Sequence, residues 1–242
     1  MEDEVAYRAM LAVDIARSAG RGNVAFRQIR EVLATALREA FEESGIDWKG
    51  CLHADLGDGF RVIAPAGTRK TRLIHPLIHE LAVRLRAHNR TAAPATHIRV
   101  RVALHAGDVV LGPDGEATGQ PLEVLARLLD AGPARTALAQ APETVTASVL
   151  LSGHFYDETA RHGYPGIDPD SFQRVTLAEK EYAAEAWLHL PGQEPAPHQP
   201  ALPGHTAATD PGPGKMINKA SGSGVVYATQ SGTTNVHITR GA

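Results

Sequence analysis

Strand-like and helix-like segments interleave in this chain without long gaps, and their order restricts the fold more than any single motif does. YRAMLAVDI (residues 7–15) reads as a strand, and NVAFRQIREVLATALREAFEESG (23–45) carries Val24, Ile29, Val32, Leu33, Leu37, Ala40 and Phe41 as a helical stripe. CLHADLGDGFRVIAP (51–65) is predicted to form a hairpin. IHPLIHELAVRLRAHN (74–89) follows as a helix that tolerates Pro76 near its first turn, and HIRVRVALHAGDVVLGPDG (97–115) alternates like a second hairpin. PLEVLARLLDAG reads as a helix ended by Gly132, TASVLLS as a short buried strand, and FQRVTLAEKEYAAEAWLHLPG as a closing pair of strands. The order β-α-β-β-α-β, extended by later elements, predicts an α+β, ferredoxin-like sandwich with helices against a mostly antiparallel sheet.

The pattern stops near residue 191, where PGQEPAPHQPALPGHTAATDPGPG concentrates proline and glycine with almost no large apolar side chain. The expected organisation is a folded domain over 1–192, a Pro/Gly-rich linker over 193–214 and a short tail over 215–242. A hydrophobic content of 43% supports a real core, while a formal charge of -3 without long Lys/Arg runs argues against nucleic acid as the partner. The single cysteine, Cys51, cannot form an internal disulfide and reads as a buried small hydrophobe. The acidic start MEDEVAYRAM lacks the order of a signal peptide, and no apolar run approaches the roughly 18 residues that span a bilayer. A cytoplasmic location is expected.

Two carboxylates stand where this order brings strand ends together. Asp14 closes the first strand, and Asp58 sits in LGDG at the turn of the first hairpin. By themselves these are also what a strand end and a hairpin tip use. Adjacent carboxylates are equally the oxygen ligands that Mg²⁺ or Mn²⁺ takes beside substrate phosphates, and the flanking glycines would let backbone and phosphate come close. In-line displacement at phosphorus suits such a pair. His75 and His79, four apart on a helix, lack an evident third ligand, and His53 and His105 lack a close partner.

AVDIARS, LGDGFRV, RVRVALHAGDVVLG and GQPLEVLARLLDA, in that order over residues 6–192, resemble the class III nucleotidyl cyclase catalytic domain. The resemblance implies a homodimer with active sites at the subunit interface. It also implies attack of a ribose 3'-hydroxyl on the α-phosphate of a nucleoside triphosphate, with release of diphosphate. Asp14 and Asp58 match the family's metal aspartates, Ile15 the position whose carbonyl joins them, and two divalent ions are implied. Arg127 matches the arginine that stabilises phosphate charge in the transition state, a task a guanidinium suits. Lys180 matches a lysine that grips phosphates.

The same alignment exposes departures. Glu123 stands where the family has a ribose-orienting asparagine, and an ionised carboxylate there cannot donate a hydrogen bond and repels a polyphosphate. Ala54, three residues before Gly57, replaces the lysine that reads adenine, and Glu116 falls at the partner aspartate position. ATP is therefore not favoured and the guanine-type pattern is absent as well, which leaves room for a pyrimidine as used in one bacterial phage-defence system.

From Ala220 through Thr239 the tail has no formal charge and no proline, and Lys219 and Arg240 flank it. Val225, Val226, Tyr227, Gln230, Gly232, Asn235, Val236 and Ile238 supply β-formers and amide ladders of the kind that stack between chains. The tail resembles bacterial amyloid-signalling segments related to the RHIM motif, which implies homotypic recruitment of an effector or sensor with a similar segment. Two readings stand: a cyclase in bacterial signalling or antiviral defence, and a degenerate cyclase-fold scaffold whose tail recruits the partner.

Overall fold

In the computed structural model, residues 4–113, 116–179 and 182–193 are described. The elements are β1 (Glu4–Ile15), α1 (Asn23–Glu43), β2 (Leu52–Asp55), β3 (Gly59–Ile63), α2 (Leu77–Asn89), β4 (Val100–Leu111), β5 (Ala117–Thr118), α3 (Gln120–Asp130), α4 (Gly132–Gln140), β6 (Ala147–Ser152), α5 (Gly153–Asp157), β7 (Gln173–Glu179) and β8 (Tyr182–His189). The sheet runs β2-β3-β1-β4-β6-β8-β7, with β5 paired to β4. Only β4 and β6 pair in parallel; the other described pairs are antiparallel. The first six elements of the expected pattern give the sheet order β2-β3-β1-β4, so the ferredoxin-like α+β reading holds and the later strands extend it past β4.

Strand alternation divides the core into two layers. Ala9, Leu11, Val13 and Ile15 of β1 face a layer built with α1 and α2, while Met10 and Ala12 face a layer that includes Leu125, Leu128 and Leu129 of α3. In α1 the buried positions are Ile29, Leu33, Ala36, Leu37, Ala40 and Phe41, an i, i+4, i+7 stripe. Val24 does not join it and is 74% exposed. It lies five residues before Ile29, well off that face at the helical repeat, and Phe26 packs there instead.

Two further differences from the sequence reading have local causes. Residues 100–111 form one continuous strand through Gly107, so the second predicted hairpin, 97–115, supplies a single strand. A Cβ at Gly107 would come within 2.7 Å of the Pro121 ring, so this glycine admits the start of α3 onto the strand rather than making a turn. The fold-back comes later, where β5 pairs with Val110 and Leu111. Gly132 does not end a helix: α3 stops at Asp130, Ala131 is extended, and Gly132-Pro133 opens α4. Cys51 is buried, and burial pushes its thiol up to about 12, as expected of a packing residue. Among the described residues no helix is long and apolar enough to cross a membrane.

Gly59 is the position on which the strand crossing at Asp14 depends. It pairs directly with Asp14, and a Cβ there would be driven into the Val13 carbonyl oxygen and the Asp14 Cα. The glycine after Asp58 thus serves the close approach of backbone, one of the two approaches the sequence reading expected of it. Gly59→Ala is expected to destabilise the domain by at least about 2 kcal/mol, read by urea unfolding, because backbone and not a flexible side chain must move.

Candidate functional site

The candidate site grows from the C-terminal end of β1. Ile15 N–H donates to the Asp58 carbonyl at 3.0 Å, which ties the β2–β3 turn to the strand end that carries Asp14. The turn itself is held from inside: Gly57, at φ 90, donates its N–H to Asp55 Oδ1 at 2.7 Å, and Arg30 pairs with Asp55 at 2.5 Å. These hydrogen bonds, that of Gly57 first, hold the Asp55 carboxyl below its usual range. The fold therefore brings Asp14, Ile15 and Asp58 together, as the sequence order requires.

What the sequence reading missed is that both carboxylates already have protein partners. Asp14 lies opposite Arg101 in the β1–β4 register, and Arg101 grips it with two donors, Nε to Oδ1 at 2.9 Å and Nη2 to Oδ2. The pair is largely buried, with side-chain exposures of 12% for Arg101 and 7% for Asp14. Asp58 Oδ2 accepts from the Ser18 hydroxyl at 2.9 Å. Burial pushes the Asp14 carboxyl above its ordinary value; Arg101 pulls the other way, and Asp58 and Asp130 add to the rise. Arg101 was within the quoted RVRVALHAG block, but only the β1–β4 register shows which carboxylate it faces.

One strand further, Arg101 lies opposite Ser148 of β6. Arg101 Nη1 and Ser148 Oγ are buried without a partner among the described residues. Four residues along β4, His105 Nδ1 lies 2.7 Å from Ser152 Oγ, and burial pulls its ring down to about 4, so it is neutral at physiological pH.

The remaining predicted positions fall into two further places. Ala54 and Glu116 line one groove of about 480 Å³, together with Arg61 and Thr118. Arg61 stands directly opposite Ala54 in the β2–β3 register, and no carboxylate among the described residues lies within ion-pair distance of it. The strand facing Ala54 thus carries a guanidinium. Glu123 and Arg127 occupy the outer side of α3, opposite buried Leu125, Leu128 and Leu129. Their charged ends are 3.6 Å apart, and Arg127 is about half exposed. Neither lines the groove of Ala54 and Glu116. Lys180 lies outside the described residues, as do the eight tail positions Val225, Val226, Tyr227, Gln230, Gly232, Asn235, Val236 and Ile238.

Among the described residues no three His, Cys, Asp or Glu side chains converge as a metal site. The donor set at the β1 end still fits hard divalent cations in kind: two carboxylates on adjoining segments with main-chain oxygens beside them. A cation there would have to exchange with Arg101 and Ser18. His75 and His79, with rings 6.0 Å apart, line a small cavity of about 160 Å³ with His189 and form no metal group.

Comparison with solved structures places this architecture among class III adenylate and guanylate cyclase domains. The guanylyl cyclase Cya2 superposes with a TM-score of 0.55 at 14% identity, covering 79% of this chain and 96% of that one. An adenylate/guanylate cyclase/hydrolase from Silicibacter pomeroyi gives 0.56 at 17% identity, covering 78% and 99%. The guanylate cyclase domain of RhGC from Catenaria anguillulae, solved in complex with GTP, gives 0.51 at 12% identity, covering 78% and 99%. No protein-family model and no curated protein matches the chain. At these identities the likeness establishes the fold: the domain has the fold of the nucleotidyl cyclase catalytic domains.

Because Arg101 is the partner that makes a buried Asp14 carboxylate tolerable, Arg101→Met is expected to destabilise the domain by about 3 kcal/mol at pH 7. The loss should shrink at pH 5, where the stranded carboxyl, with its raised affinity for a proton, is neutralised more readily. Urea unfolding at the two pH values checks both the size and the sign.

Proposed function

We propose that the domain converts a nucleoside triphosphate to a 3',5'-cyclic nucleotide and diphosphate, acting as a homodimer with two divalent cations, Mg²⁺ or Mn²⁺. The observation that carries this reading is the meeting of Asp14 and Asp58 at adjoining strand ends, locked by the Ile15 to Asp58 main-chain bond, in a cyclase fold. When bound, the cations would lower the cost of ionising the attacking hydroxyl and offset charge on the phosphates. Asp14, Asp58 and the Ile15 carbonyl would hold them. Arg127 would place a guanidinium against the charge that moves onto the leaving diphosphate as the bond from the α-phosphorus to its bridging oxygen breaks. Glu123, 3.6 Å from Arg127, restrains that side chain and offers no donor to a ribose.

Base selection in this reading belongs to the groove shared by Ala54, Arg61 and Glu116, and Gly57, at the hairpin turn, is outside its lining. Arg61 presents donors and Glu116 acceptors, and each can pair with the edge of a base. Lys180 would add a phosphate contact. The tail would recruit an effector or sensor through a homotypic amyloid-like assembly, linking the cyclic nucleotide to bacterial signalling or antiviral defence.

A second reading is a scaffold that has lost turnover and keeps the tail as its working part. The mutual pairing of Glu123 with Arg127 and the Arg101 grip on Asp14 favour it, since each engages a side chain that the reaction needs.

The two readings separate in product analysis by mass spectrometry after incubation of the full chain with ATP, GTP, CTP or UTP and Mn²⁺. One cyclic nucleotide is expected, reduced about a hundredfold or more by Asp58→Ala because a charge-neutralising ligand is lost. Arg61→Ala is expected to change which nucleotide is preferred more than the total rate. No product from any nucleotide, with a dimer confirmed, supports the scaffold.

A further inference from the structure

The row of residues that crosses the sheet at Asp14 continues past Arg101 to Ser148: Asp14 of β1 pairs with Arg101 of β4, and Arg101 pairs with Ser148 of β6. Side chains in register share one face of a sheet, and two residues along each strand that face carries Ala12, Ala103 and Leu150, which pack in the layer that includes α3. Neighbouring strands stand about 4.8 Å apart, so the guanidinium has a carboxylate on one flank and a hydroxyl on the other. Ala12, Ala103 and Leu150 offer it no side-chain acceptor.

The two flanks are used unequally. Nε and Nη2 of Arg101 donate to Asp14, while Nη1 is buried without a partner among the described residues. Ser148 is fully buried, and its Oγ is unpartnered as well. Buried polar groups are as a rule hydrogen-bonded, so a donor and an acceptor left over at facing register positions mark a pairing that belongs to another arrangement of the same side chains.

The candidate cation site defines that arrangement. A divalent ion on Asp14 displaces Arg101, and a guanidinium cannot shed its proton and leave as a neutral group. If it stays within the sheet, it needs another acceptor. Ser148 lies on the side of Arg101 away from Asp14, and so away from the ion, and a serine hydroxyl turns to present a lone pair to the donor that arrives. We propose that Ser148 receives the Arg101 guanidinium when a divalent cation takes Asp14, which makes it a positioning residue for the cation site although it touches no ligand. This role rests on the cation site of the cyclase reading above and adds to it the residue that sets the cost of opening that site.

The test is a calorimetric titration of Mn²⁺ into nucleotide-free full-length protein and needs no turnover. Wild type, Ser148→Ala, Ser148→Thr, Ser148→Asp, Arg101→Met and the Ser148→Ala/Arg101→Met double variant are compared, each first checked in chelator by circular dichroism and urea unfolding. Metal-free Ser148→Ala is expected to be as stable as wild type, since its hydroxyl has no partner to lose. Its Mn²⁺ affinity is expected to fall about fivefold, because the displaced guanidinium is left without an acceptor, while Ser148→Thr keeps the hydroxyl and the wild-type affinity. Ser148→Asp, which offers Arg101 a full charge on that flank, is expected to bind Mn²⁺ about tenfold more tightly than wild type. In the Arg101→Met background Ser148→Ala is expected to change nothing, because no guanidinium is left to receive. Mn²⁺ affinity unchanged by both Ser148→Ala and Ser148→Asp, or a loss in Ser148→Ala that is equal with and without Arg101, overturns the role of Ser148 and leaves the cation site in place. Failure of both wild type and Arg101→Met to bind Mn²⁺ is a different result: it removes the cation site, and the role of Ser148 falls with it.

Discussion

The two-donor grip of Arg101 on Asp14, across the β1–β4 pairing, is the interaction around which the candidate site is organised. A carboxylate this deeply buried is costly without a partner, and a buried guanidinium equally so. Each residue therefore makes the other tolerable at the centre of the sheet. The same pair ties two features to one point: the Asp58 turn through Ile15, and the β6 strand through the register of Arg101 with Ser148.

A site arranged in this way carries an internal conflict. The carboxylates that suit divalent cations are engaged by Arg101 and by Ser18, so cation binding and the present hydrogen bonds exclude each other. Such a competition sets a threshold: a cation or a partner subunit has to offset the loss of a buried ion pair. The cyclase reading treats Arg101 as a movable occupant, and the scaffold reading treats it as a permanent one. The Glu123–Arg127 pair poses the same question on α3 at lower cost, because both side chains are well exposed and the pair is weak.

Much of the fold was legible in the sequence because strand and helix periodicities alternate cleanly from Tyr7 onward and the LGDG turn is strong local chemistry. The positions that misled were those where tertiary contact overrides local preference. Gly132 looked like a helix end and opens α4, while Gly107, inside the second predicted hairpin, is a strand residue that makes room for Pro121. Asp14 and Asp58 could be paired from strand order alone. Arg101 could not be joined to Asp14, nor Arg61 to Ala54, because cross-strand neighbours depend on a register that the sequence does not print. Ser148 was less visible still, since it meets Arg101 only through the parallel β4–β6 register.

The exchange at Asp14 is tested most directly by Mn²⁺ titration of the nucleotide-free full chain, followed by electron paramagnetic resonance, in wild type, Arg101→Met and Asp14→Asn. With the guanidinium gone and the carboxylate released, Arg101→Met is expected to bind Mn²⁺ at least about tenfold more tightly than wild type, and Asp14→Asn to lose that binding. Equal Mn²⁺ affinity in all three folded proteins would contradict the account, leaving Asp14 and Arg101 as a structural ion pair with no part in holding a cation.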